Sequence, residues 1–362
     1  MHAVAYLVRW RSLLAKVVLF SALLLLSGCS QKPNIMTFDN AEREDVVWPA
    51  PPERSRFRYV GQLTGEENFS KNHNEVNFGV KVFRWVVGLV SGKAIPNILQ
   101  RPQGGVVDEL GRVFVTDVSR QAVCVFDVVT GEFLVWDRAS ELGSFHSPIG
   151  IVQGPNKELW VADSKLGAVV RLSAQGEPLG WVGEEELVHP TGITRDAWRG
   201  RVYVADTKTH EIKIFDDSGK FIRAIGTKGV GEGEFNAPTY LHFVEDELYV
   251  TDTLNSRIQV FDEAGKFVRS FGRRGLFIGD LPRPKGVTVD KNGLIYVVES
   301  FYDYLLVFNK KGELLMPVGG TGHGVGQFYL PAGVWTDNKN NVYVADMFNG
   351  RIVVLEFLGG GA

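Results

Sequence analysis

The chain has 362 residues, 44% apolar or aromatic and 22% charged, so it carries ample material for a packed core and is neither disordered nor fibrous in composition. Its 41 glycines beside many Val, Phe and Tyr point to short strands joined by tight turns rather than to helices. The net charge is -3, and setting aside the first 28 residues leaves 36 basic against 42 acidic groups, a net of -6, which argues against a nucleic-acid-binding surface and against nucleic acid as a partner.

At the amino terminus Arg9, Arg11 and Lys16 precede the apolar run Val17 to Leu26, followed by Leu26-Ser27-Gly28-Cys29. Ten apolar residues fall short of the about 20 that a spanning helix needs and fit the core of a secretory signal. The end of the run resembles a bacterial lipobox, which implies cleavage before Cys29 and lipidation of that cysteine. Residues 1–28 are therefore expected to be a lipoprotein signal peptide. Serine at position 30 fits sorting to the outer membrane, so the expected address is the cell envelope, lipid-anchored. Residues 29–55, with Trp48-Pro49-Ala50-Pro51-Pro52, read as a tether whose prolines favour extended geometry and hold the domain off the bilayer. With Cys29 lipidated, Cys124 is a lone thiol in the apolar strand Val123 to Phe126, a core residue rather than a reactive one.

From residue 102 onward a pattern recurs. Prolines stand at 102, 148, 190, 238, 284 and 331, and two residues after each comes glycine (104, 150, 192, 286 and 333), except at Tyr240. Intervals of 42 to 48 residues belong to propeller-like arrays. A second strand follows each time and ends in an acid: Val113 to Asp117, Leu159 to Asp163, Val202 to Asp206, Leu248 to Asp252, Ile295 to Glu299 and Val342 to Asp346. An aromatic residue sits at one fixed place in these strands, which predicts a packing layer shared by every unit. A third strand ending in Phe-Asp or a relative leads through a glycine turn, such as Asp216 to Lys220, into a fourth. The second copy departs most, with Leu172-Ser173 in place of Phe-Asp. Each unit is thus a four-stranded antiparallel sheet, and six make an all-β, six-bladed β-propeller. The last unit ends one strand short. Phe57-Arg58-Tyr59-Val60-Gly61 is similar to the outer strands at 221–225 and 267–271, so this N-terminal strand is expected to close the last blade and leave no open edge. The propeller is placed at 56–362.

The repeat resembles the NHL family, and its combination with a lipobox and a Trp-Pro-x-Pro-Pro tether is similar to bacterial six-bladed NHL lipoproteins. The resemblance covers about residues 56 to 357. Its best motif runs from Gly226 to Pro238 and recurs from Gly319 to Pro331, and it implies a fold while leaving activity open.

Strand order puts the prolines and the acids on one face, here called the top, and the short hairpins such as Asp290 to Gly293 on the other. Binding is expected on the top, where the longer connections lie. A 65–100 insertion is the longest of them, and Phe83, Val86, Val87 and Val90 fall at helical spacing within it. The candidate ligand-binding residues are Tyr240 and His242 on one side of the fourth blade's first strand, Glu299 with Phe301, Tyr302 and Tyr304 in the fifth, and Arg101, His146, His189 and Arg283 near the mouth. A polar and aromatic rim of this kind suits a small ligand, a peptide or a glycan.

His146, His189 and His242 come from successive blades and are weak candidates for a metal, as in amidating lyases whose channel zinc is held by histidines. They occupy different repeat positions, and no H-x-H or H-E-x-x-H spacing is present, so neither a metal nor a cofactor is expected. A calcium set of Glu299, Asn255 and Asp206 is conceivable, but the repeated acids are more simply acceptors for loop amides at strand ends. No nucleophile elbow or phosphate-binding loop occurs. The favoured reading is a membrane-anchored envelope lipoprotein that binds a protein, peptide or glycan and is not an enzyme; the alternative is a metal-dependent hydrolase or lyase acting in the central channel.

Overall fold

The computed structural model describes residues 34–38, 46–70 and 96–359. They form a six-bladed β-propeller of antiparallel blades. Blade one is Pro102–Val107, Val113–Asp117, Ala122–Asp127 and Glu132–Trp136; blade two is Pro148–Gln153, Leu159–Asp163, Ala168–Leu172 and Pro178–Val182. Blade three is Pro190–Asp196, Arg201–Asp206, Glu211–Asp216 and Phe221–Ile225, and blade four is Pro238–Val244, Glu247–Asp252, Arg257–Asp262 and Phe267–Phe271. Blade five is Pro284–Val289, Ile295–Glu299, Tyr304–Phe308 and Leu314–Gly319. Blade six runs outward from Val334–Thr336 through Asn341–Asp346 and Arg351–Phe357 to Phe57–Leu63. The N-terminal strand closes the ring as expected, with Phe57 opposite Phe357 and Leu63 opposite Ile352. Its Phe57 ring also meets Tyr296 of blade five edge-on at 6.0 Å, so closure locks two blades.

Burial explains why the strands read as they do. Second strands such as Val113–Asp117 and Leu159–Asp163 are buried throughout, because a neighbouring blade covers each face, and so they are continuous apolar runs. The outer strand Phe267–Phe271 has water on one side and alternates. The apolar core is divided among the blade interfaces; one cluster joins Tyr296 and Leu305 of blade five to Val344 and Leu355 of blade six, another Val204 and Phe215 of blade three to Trp160 and Val169 of blade two. The aromatic layer is present: Phe114, Trp160, Tyr203, Tyr249, Tyr296 and Tyr343 are all buried.

The glycine two residues after the proline in five of the blades lets inner strands approach. A Cβ on Gly150 would lie 2.4 Å from the Thr191 carbonyl oxygen, and one on Gly333 would lie 2.2 Å from that of Gln103. In the motif ending at Pro238, Gly226 has a φ of 83° and lies under the buried Phe235 ring, where a Cβ would come within 2.3 Å. That run of glycines shapes a connection and does not cradle a phosphate. In blade two, Ser173 replaces the usual aspartate without changing the turn, since its Oγ accepts from the amides of Gln175 and Glu177.

The described part of 29–55 is not a free spacer. Ile35–Met36 pairs with Phe69–Ser70, and Val47–Trp48 adds a fifth strand to blade six against Phe57 and Arg58. Asn34 donates from Nδ2 to the Gly131 carbonyl at 3.2 Å. Of the 65–100 insertion only its neck is described: Gly65 bridges Ile98, and the Asn68 amide ties Thr64 and Gly65 to Thr37 and Gln62. The expected signal peptide, Cys29 and the stripe of Phe83, Val86, Val87 and Val90 lie outside the described residues.

Gly333→Ala is expected to lower stability by about 2 kcal/mol, the cost of forcing a methyl into a filled space. A urea midpoint that falls at unchanged slope is the reading that checks it.

Candidate functional site

The acid ending each second strand builds the top face. Asp163, fully buried, accepts from the amides of His146 and Ser147 in the incoming connection and of Lys165 and Leu166 in the following turn. Asp117 does the same for Gln100, Arg101, Ser119 and Arg120. Asp346 takes the Tyr329 amide together with Asn349 Nδ2 and Arg351 Nε. Glu299 accepts from Arg283, Phe301 and Tyr302; burial nonetheless holds its carboxyl above the usual range, against those three amide bonds. The acids are thus structural acceptors, as the strand-end reading has it, and they fix where the residues before each proline and after each acid stand.

Arg101 and Arg283 are exposed beside their prolines, and Arg101 lies over the Phe348 ring at 4.9 Å. Lys285, half-buried one residue past Pro284, is held below the usual ammonium range by burial and by the charge of Arg283. Phe301 is 59% exposed and packs edge-on to Tyr302 at 4.9 Å. Tyr304 is not in that loop: it opens the third strand opposite Glu299 and packs into the interface of blades four and five.

Reading the repeats for the strand ends leaves the position two residues past the acid unnoticed. It holds Ser119, Lys165 and Lys208 in blades one to three, and Leu254, Phe301 and Phe348 in blades four to six. Leu254 is 57% exposed and Phe348 45%. Tyr329 extends this apolar arc, stacked edge-on between Phe348 at 5.6 Å and His323 at 5.2 Å. Aligning the six copies at that one position would have revealed it.

The central channel is built from the residues four past each proline: Val106, Val152 and Trp335 on one side, Thr194, His242 and Thr288 on the other. They line a cavity of about 240 Å³ with one apolar and one polar wall. Where five blades have glycine, Tyr240 projects across the ring, and its hydroxyl donates to the Gln103 carbonyl of the facing blade at 3.4 Å. Burial pushes its phenol above the ordinary range. His242 stands 3.4 Å from Thr288 Oγ1, and burial pushes its imidazole down to about 4, opposed by a weaker backbone hydrogen bond at Val289. Tyr240 and His242 therefore share one cavity.

His146 and His189 do not join them. Both lie on the rim before their prolines, whereas His242 is four residues past its own, roughly 13 Å of extended chain deeper. Among the described residues no group of three or more His, Cys, Asp or Glu side chains is placed to hold a metal ion. Cys124 is buried in blade one, and burial, aided by the Asp117 charge, pushes its thiol up to about 12.

Comparison with known proteins agrees with this architecture. A family model described as a 6-bladed beta-propeller matches residues 193–241 and 281–360, and no curated protein matches the chain. Among solved structures, virginiamycin B lyase from Staphylococcus aureus superposes with a TM-score of 0.54 at 16% identity, covering 72% of this chain and 96% of that one. A gluconolactonase from Xanthomonas campestris gives 0.55 at 16%, covering 72% and 89%. A chain of the nidogen/laminin complex gives 0.53 at 19%, covering 69% and 89%. The chain is a six-bladed β-propeller, and at these identities the likeness is one of fold.

Asp163→Ala leaves four amides without their acceptor and is expected to cost about 3 kcal/mol or more, with Asp163→Asn restoring part of it, by urea unfolding. Since the folded pKa of His242 lies below its unfolded value, its contribution is complete above about pH 6.5 and is lost as pH falls toward 4. His242→Phe should therefore flatten the stability profile between pH 6.5 and 4 by on the order of 2 kcal/mol relative to the parent.

Proposed function

We propose that this protein is a lipid-anchored binding module of the cell envelope that acts through its top face rather than through its channel: the rim of blades four to six recognises a protein, peptide or glycan. The apolar arc of Leu254, Phe301 and Phe348 carries this reading. Three blades in succession expose a large apolar side chain at a turn position where the other three expose Ser or Lys. The turns are held by buried acids, so the side chains are presented without an ordering cost at binding. Aromatic side chains of this kind supply most of the energy of many interfaces. Arg101 and Arg283 border the arc and give it a preference for acidic groups. Membrane attachment through Cys29 belongs to the same reading and rests on the lipobox resemblance.

A second reading, a metal-dependent hydrolase or lyase, draws on the cavity holding neutral His242 beside Thr194 and Thr288. Near-stoichiometric zinc, calcium or iron in the purified protein would favour it.

The binding reading is tested by photo-crosslinking from position 254 in intact envelopes. Phe301→Ser with Phe348→Ser should reduce the crosslinked product by about tenfold or more while leaving the melting temperature within a few degrees. Equal crosslinking in parent and variant would sink the assignment of the arc.

A further inference from the structure

The face opposite the rim is set by where the chain enters the propeller. Asn34 is fastened to Gly131, in the turn between the third and outer strands of blade one. Third strands run downward from the top face, so this turn is on the bottom. The contact is close: a Cβ on Gly131 would lie 2.4 Å from the Asn34 carbonyl oxygen. Ile35–Met36 then pairs with Phe69–Ser70, which fixes the segment's direction. Five residue steps separate Cys29 from Asn34, a reach of at most about 18 Å fully extended. A blade strand of five or six residues alone spans about 17–20 Å, so that reach does not carry an anchor from the bottom of blade one to the apolar arc on the far side of the top.

We infer that the bottom face, chiefly under blades one to three, rests on the bilayer, which turns the rim of blades four to six away from the membrane. This rests on the reading that Cys29 is lipidated. The bottom face is suited to it. Leu110 and Val129 are exposed in the two bottom turns of blade one, beside the Asn34 attachment. Trp198, 85% exposed in the bottom turn of blade three, is held by Arg199, whose guanidinium lies 4.8 Å from the ring centre. Tryptophan is the side chain most at home at headgroup level. Lys220, Lys266 and Lys311 are exposed in bottom turns of blades three to five. Three of the acids on that face, Asp217, Asp246 and Glu245, are paired with Arg195, Arg199 and Lys310. These lysines stand among acids of the same turns, Asp216 beside Lys220, Asp262 and Glu263 beside Lys266 and Glu313 beside Lys311, so it is Leu110, Val129 and Trp198 that suit this face to a bilayer. The larger apolar surface, including Leu276, Phe277 and Ile278 in the connection from blade four to blade five, then faces the aqueous compartment, where only a macromolecular partner covers it.

The test uses the full lipidated chain reconstituted in phosphatidylethanolamine and phosphatidylglycerol vesicles. Cys29 is acylated and Cys124 is buried, so a cysteine introduced by Leu110→Cys, Trp198→Cys or Phe277→Cys is the reactive thiol for a small fluorophore. A phospholipid carrying a nitroxide on its acyl chain should quench the label at 110 and 198 by about twofold or more and leave the label at 277 as it is in water. Quenching at 277 alone, or at none of the three positions, overturns the orientation. The anchor reading fails separately: intact mass without the diacylglyceryl group, or Cys29→Ser protein that floats with vesicles as the parent does, would remove it whatever the labels report.

Discussion

One interaction recurs in every blade: a buried carboxylate at the top of the second strand that gathers amides from two other segments. A polypeptide that turns at the top of a blade leaves backbone N–H groups without partners, and so does the connection arriving from the preceding blade. Asp163 meets both needs with one side chain, while Asp252 and Asp346 take one incoming backbone amide and the side-chain amide of Asn255 or Asn349 in their own turn. Because it accepts from the incoming connection as well as from its own turn, each acid joins chain that belongs to two blades. The proline next to it opens the inner strand, and the glycine beyond allows the next blade's backbone to close in.

Once the frame is fixed in this way, the residues between its fixed points are free to differ. The residue two past the acid varies from Ser119 to Phe348, and the residue four past the proline varies from Val106 to His242 and Trp335, within the same blade topology. The rim and the channel are read out by the same repeat at two depths. Tyr240 separates them, because a phenol spans the level at which the other blades carry no side chain. A ligand on the rim and a ligand in the cavity would therefore meet different surfaces.

The fold was legible because its determinants are periodic. Pro, Gly and acid recur at fixed spacing, and even the closing strand could be found, since Phe57 to Gly61 shares the outer-strand pattern. What lacked a period was hidden. Val47–Trp48 and Ile35–Met36 make two-residue pairings that no alternation announces, so a segment rich in proline and polar residues reads as a spacer. Tyr304 read as loop because its strand begins immediately after a turn, where a shift of one or two residues changes the assignment. Of the proposed site residues, Tyr240 and His242 share the channel, because strand alternation is reliable two residues apart. His146 and His189 stay on the rim, because neighbouring blades bring equal repeat positions together and these three histidines are not at equal positions. Leu254 and Phe348 are silent in the sequence, since a single apolar residue in a turn carries no signal until the copies are compared.

The closing strand also orders events in time. Arg58 pairs with Glu356 across 298 residues, while contacts within each of the other blades are local. Local sheets form early and distant pairings form late, so five blades have their partners to hand before the sixth does. Among the strands that make up the four-stranded blades, the one made earliest in the chain, Phe57–Leu63, is completed last. Until Arg351–Phe357 arrives, Phe57–Leu63 presents an unpaired edge, and the growing protein is most vulnerable to pairing with another copy of itself over that interval.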